Sequence, residues 1–228
     1  MLKFLPILLP ILYTVVLYQY SAWRTARILD TQSRPLEDAT LKKVLARLAE
    51  VVELEQIKVF VYEIEPVNGL AAPDGRIFLT RGFLNRYEAG QVTAEELAGV
   101  VAHELGHVAM GHTKRRMIDV TGQNAIFFLL AGALGRIIPF VGIWIARSLS
   151  VLLAAGLSRR DEFEADAYAS ALLVKAGIGT APQKSLFHKL DALTGAASRE
   201  IPHWLRSHPK ATERIRAIEE REARWSQA

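Results

Sequence analysis

The 228-residue sequence contains no cysteine. That absence excludes a disulfide framework, thiolate ligation of a metal, a thiol nucleophile and a cysteine-linked lipid anchor. An excess of one charge sign is also missing, since 28 basic residues stand against 24 acidic ones and no basic run stands out. A nucleic-acid partner would need a concentrated cationic patch, so none is expected. No internal repeat or low-complexity tract is evident. What the chain has is apolar residue, half of the total, at a length that suits one domain.

Much of that apolar content lies in two blocks. The first runs from Phe4 to Tyr18, with Lys3 before it and Arg24, Arg27 and Arg34 after it. Spanning a bilayer takes about 17–25 residues, so residues 1–22 read as a marginal but usable membrane anchor with Tyr and Trp at its interface. A cleaved signal peptide is the rival reading, and the lack of a small-x-small site before Trp23 counts against it. The charge bias around the anchor points to a membrane protein, in a bacterium an inner-membrane one, with the rest of the chain in the cytoplasm. The second block, Ala125 to Leu157, is broken only by Arg136, Pro139 and Arg147. It reads as a helical hairpin turning near Gly135–Gly142, an insertion at about 123–157 in a domain spanning 36–228. A pair of long buried core helices is the alternative.

Between the blocks, Leu41, Val44, Leu45, Leu48, Val51 and Val52 recur at helical spacing within Leu36–Leu54. Ile57–Tyr62 and Arg76–Thr80 read as strands, the second after the turn signal Pro73-Asp74-Gly75. Thr93 with Glu96 predicts a capping box opening a helix through about Met117. Further helices are expected from Arg159 to Ala176, from near Pro182, and from Pro209 to about Trp225.

The chemistry concentrates in His103-Glu104-Leu105-Gly106-His107 on the Thr93 helix. Side chains four apart share a helical face, so both imidazoles can reach one zinc ion. Glu104 is placed to hold and deprotonate a water, which is the arrangement of a metalloprotease. A catalytic zinc needs a third protein ligand. Extending the motif along the helix fails, because Met110 and Thr113 occupy the positions where a glycine and a histidine would be required. His112 falls about 180° round the helix from His103 and reads as a surface residue. The third ligand is therefore expected from Ser158–Asp166, where Glu162 and Asp166 share a face and Glu164 points elsewhere. Spacing alone leaves open which of the two carboxylates binds metal. His188 and His203 have no partner pattern and read as structural.

HELGH, then SRRDEFEAD, then His208-Pro209 with Arg214 (HPKATERI) resembles the M48 zinc metallopeptidases, of the HtpX, Ste24 and BepA-like kinds. The resemblance covers roughly Leu36 to Ile218, with three motifs in the right order. It implies an α+β, mainly α, zincin-type fold with a small sheet, and one Zn²⁺ per chain. It implies Glu162 as third ligand beside His103 and His107, and Asp166 as the partner that holds a ligand histidine. Glu104 is the implied catalytic base, and His208 the residue that stabilises the oxyanion. Asn68, Gly69, Leu70 and Ala71 match the edge strand on which an extended polypeptide substrate pairs. Arg214 is read as support for its helix, structural or at the active site. The implied activity is zinc-dependent cleavage of unfolded or membrane and envelope proteins in quality control. The alternatives are CAAX-type processing and a non-catalytic chaperone or binding protein on the same fold.

Overall fold

A computed structural model describes residues 5–72, 74–112, 127, 131, 138, 141–193 and 210–227. Helix α1 (Leu5–Gln32) runs directly into strand β1 (Ser33–Pro35). Its last turns belong to the globular part: Leu29 is buried against Ala72 and Phe78, and Asp30 pairs with Arg76 at 2.7 Å. Among the described residues, no helix is long and apolar enough to cross a membrane.

Helix α2 (Ala39–Val51) begins where Asp38 accepts a hydrogen bond from the Leu41 amide at 2.6 Å. This bond satisfies one of the amides that the first turn leaves open. Its buried face is Leu41, Val44, Leu45 and Leu48, as the 3.6-residue repeat requires. Strands β2 (Val59–Tyr62), β3 (Gly69–Ala71) and β4 (Ile77–Thr80) complete a sheet of order β1-β2-β4-β3. The central β2–β4 pair is parallel, and both outer pairs are antiparallel. All four β4 side chains are buried because both faces are covered. Ile77 and Leu79 enter the main core with α2 and α4, while Phe78 faces Leu29 on the other side.

Helix α3 (Arg81–Glu88) leads to α4 (Ala94–Ala109), which opens on the expected capping box. Thr93 Oγ1 accepts from the Glu96 amide, and Glu96 accepts from the Thr93 amide. Ser185 Oγ also donates to Glu96, and Lys189 pairs with it, each at 2.6 Å. The cap thus ties α4 to α6 (Ala181–Leu193) as well as closing its own end.

The helix expected from Arg159 is the second half of a longer one, α5 (Gly142–Lys175), which runs on from the apolar block without a break. The proposed hairpin turn and the block's first half lie largely outside the described residues. Gly177, at φ +65°, ends α5 in the left-handed conformation that glycine adopts without a Cβ clash. Helix α7 (Ala211–Trp225) closes the described chain.

Helices α4 and α5 cross at Gly106. A Cβ there would meet the Cα and O of Ala165 at 3.0 Å, so the two backbones touch where the zinc-motif residues stand. The glycine inside HELGH therefore sets the spacing between the helix that carries the histidines and the helix that carries the acids.

Candidate metal centre

The sequence-predicted ligands converge. His103 and His107 project from α4 and Glu162 from α5, and all three side chains are buried. Nε2 of His103 lies 3.1 Å from Nε2 of His107, and 3.3 Å from Oε2 of Glu162. Nε2 of His107 lies 3.4 Å from Oε1 of Glu162. Zinc holds nitrogen and oxygen ligands at about 2.0–2.2 Å in tetrahedral sites, which places any two of them about 3.3–3.5 Å apart. The two carboxylate separations, one to each oxygen of Glu162, fall in that range, and the imidazole pair stands slightly closer. The donor set of two imidazoles and one carboxylate is one that zinc accepts.

The carboxylate left open by spacing takes its own place. Asp166 is fully buried, with Oδ1 at 2.9 Å from Nδ1 of His103, the ring nitrogen turned away from Glu162. Arg214, 1% exposed, reaches in from α7 and forks onto Asp166, Nε at 2.6 Å and Nη2 at 2.5 Å. Its guanidinium also lies 4.1 Å over the ring of Phe187 on α6. A bidentate fork of this kind fixes the carboxylate plane as well as its charge. Burial works against ionisation of Asp166, but the charge and hydrogen bonds of Arg214 and the bond to His103 outweigh it, holding the carboxyl well below its usual range. Burial likewise disfavours the charged form of His103. Its bonds to Asp166 and Glu162 prevail, and without metal its pKa rises from 6.5 to about 9.

Glu104 is buried beside the triad, in a cleft also lined by Val67, Asn68, Gly69, Val100 and Phe187. A Cβ on Gly69 would stand 2.5 Å from Val100 Cγ1 and 3.5 Å from Glu104 Oε1. A side chain at this position would press on Val100, so glycine lets β3 lie this close to α4. β3 stands at the end of the sheet order, held by β4 and by Asn68, whose amide and carbonyl bond to Thr80. His208 and His203 lie outside the described residues.

One expectation fails. The helix predicted through Met117 ends at Ala109, and Gly111 at φ +65° turns the chain back. His112 is then 1% exposed, not a surface residue, because the constant rotation per residue stops applying at the turn. Its Nδ1 lies 2.8 Å from Nδ1 of His107, and its Nε2 3.3 Å from Glu164. The signal that could have located it was Gly111 itself, a glycine just past the last helical turn.

The sequence profile of peptidase family M48 matches residues 35–222. The chain belongs to this family. M48 relatives with curated names include the metalloprotease LoiP of Escherichia coli, 31% identical over 71% of this chain and 61% of LoiP. The metalloprotease YcaL of the same organism is 30% identical over 79% of this chain and 68% of YcaL. Human mitochondrial metalloendopeptidase OMA1 is 23% identical over 88% of this chain and 40% of OMA1. The chain thus spans between two fifths and about two thirds of these M48 proteins. Among solved structures, Ste24p of S. mikatae aligns with a TM-score of 0.55 at 23% identity, covering 90% of this chain and 56% of Ste24p, a likeness of fold. The donor set His103, His107 and Glu162 lies within the matched region.

Proposed function

We propose that the chain is a membrane-associated zinc endopeptidase that cuts extended segments of unfolded or envelope proteins. The observation that carries this reading is the triangle of 3.1, 3.3 and 3.4 Å among His103, His107 and Glu162. These three residues would hold zinc. When bound, zinc supplies Lewis acidity, which polarises a carbonyl and brings the pKa of water toward about 7.

The chain's own residues then divide the work. Glu104 accepts the proton of the attacking water and returns it to the leaving amine. His208, on the segment before α7, donates a hydrogen bond to the oxyanion. Asp166 accepts the Nδ1–H of His103, which keeps the Nε2 lone pair toward the metal. β3, with Asn68, Gly69, Leu70 and Ala71, pairs with the substrate main chain by strand addition, so recognition reads backbone more than side chains. Membrane association is supported by the apolar run before Arg24 and by exposed Val141, Ile143 and Trp144 where α5 begins.

The test is turnover of reduced casein by the detergent-purified chain. The reading expects one zinc per chain, cleavage lost on chelation, and cleavage restored by zinc. Zinc-loaded protein that leaves casein intact would favour a non-catalytic binder on this fold. A strong preference for prenylated peptides over casein would favour CAAX-type processing.

A further inference from the structure

The two histidines of the triad are held from behind by different groups. His103 has an ionised carboxylate, Asp166, at its Nδ1, whereas His107 has a second imidazole, His112, at 2.8 Å. His112 is returned to that position by the Gly111 turn, and its ring stands edge-on to His107 at 4.9 Å between centroids. Beyond it, Nε2 of His112 faces two acids of α5, Glu164 at 3.3 Å and buried Asp161 at 3.8 Å.

We propose that His112 is a positioning residue for the metal centre, acting through His107 in a relay that ends on Glu164 and Asp161. The inference rests on the zinc reading above. A metal on Nε2 of His107 requires that nitrogen's lone pair, so the ring proton of neutral His107 sits on Nδ1. At 2.8 Å the Nδ1–H can only donate to an unprotonated Nδ1 of His112, which fixes His112 as the tautomer with its proton on Nε2. That proton then points at Glu164 and Asp161, whose charge strengthens the acceptor character of the far nitrogen. Among the described residues, no proton along this chain of contacts faces another.

The arrangement explains Glu164, which the helical face of Glu162 and Asp166 does not use, and the buried Asp161. It also distinguishes the two sides of the centre. The Asp166 side is clamped by Arg214 from α7, while on the His112 side a residue just past the end of α4 meets acids of α5. Groups that orient metal-bound histidines in this way typically change metal affinity 10–100-fold when removed.

Two measurements on the full chain test the proposal. In zinc-loaded protein labelled with ¹⁵N at histidine, ring-nitrogen shifts should show His107 protonated on Nδ1 and His112 protonated on Nε2 alone. A His112 protonated on Nδ1 would overturn the relay, and this readout needs no variant to fold. Next, zinc affinity is read by competition with a chromophoric chelator for His112→Leu and His112→Asn. Asn places a carbonyl oxygen close to where Nδ1 stands, so it should stay within about 3-fold of wild type, whereas Leu should lose about 10–100-fold. A folded His112→Leu with unchanged affinity, or a second zinc bound by His112, Asp161 and Glu164, contradicts the proposal. If the wild type binds no zinc at all, it is the metallopeptidase reading that fails.

Discussion

Arg214 and Asp166 form a buried ion pair whose value lies in being complete. Removing one partner leaves the other charge stranded in the core, at a cost of about 3–5 kcal/mol. Asp166→Asn should therefore lower the melting temperature sharply and weaken zinc binding about 10–100-fold, both measurable on the same preparation. A second prediction concerns protons. Without metal, His103 has its pKa raised to about 9, so at pH 7.5 it carries a proton on each nitrogen. Zinc must displace the one on Nε2. Calorimetric titration in buffers of different ionisation enthalpy should show a proton release per zinc that declines as pH rises through about 9, where His103 gives up its second proton before zinc arrives. The sign for folding is the reverse. The raised pKa stabilises the metal-free fold fully below about pH 6.5, and this contribution disappears as pH rises through about 9. At this scale the sequence was informative about identity and weak about direction. Two histidines and a glutamate on one helix were legible from spacing, and Glu162 against Asp166 was not, because both share a face. His112 was misplaced because one glycine ended the helix on which its angle was counted.

Helix α4 shows how local sequence sets the site. Its start was legible to the residue, because Thr93 and Glu96 satisfy each other's amides whatever packs around them. Its partner segment, Ser158–Asp166, was legible from the need for a third ligand, but the length of α5, one helix from Gly142 to Lys175, was not, and nothing in the periodicity announces that Ala165 would meet Gly106. That contact yields a prediction in which two effects oppose. Alanine at position 106 gains about 1 kcal/mol of helix propensity over glycine. Its Cβ, however, would press on the Ala165 backbone at 3.0 Å, and overpacking costs about 1–3 kcal/mol where backbone must move. Gly106→Ala should be net destabilising in thermal unfolding. It should also weaken zinc binding, because any widening of the α4–α5 gap separates His103 and His107 from Glu162.

Across the whole molecule, the centre joins elements far apart in sequence: α4, α5 and, through Arg214, α7. A ligand bound only by the folded state stabilises it in proportion to its occupancy, by about 4 kcal/mol at 1,000 times its dissociation constant. Chelation should thus lower the melting temperature of the wild type, and lower that of Glu162→Gln much less. The mainly helical fold with a small sheet was implied by the motif resemblance. Elements α2, β2, β4 and the start of α4 were readable from hydrophobic period and turn residues, whereas α3 was not. The parallel β2–β4 pairing and the short β1 strand were not, since three or four residues carry too little periodicity to announce a partner. The central claim is that Glu104 acts on water at a zinc site built by its neighbours. The most direct test is casein cleavage by Glu104→Gln beside the wild type, with zinc content measured for both. The account predicts one zinc in each, and a rate about 10²–10⁴-fold lower in the variant. Cleavage at the wild-type rate by zinc-loaded Glu104→Gln would contradict it.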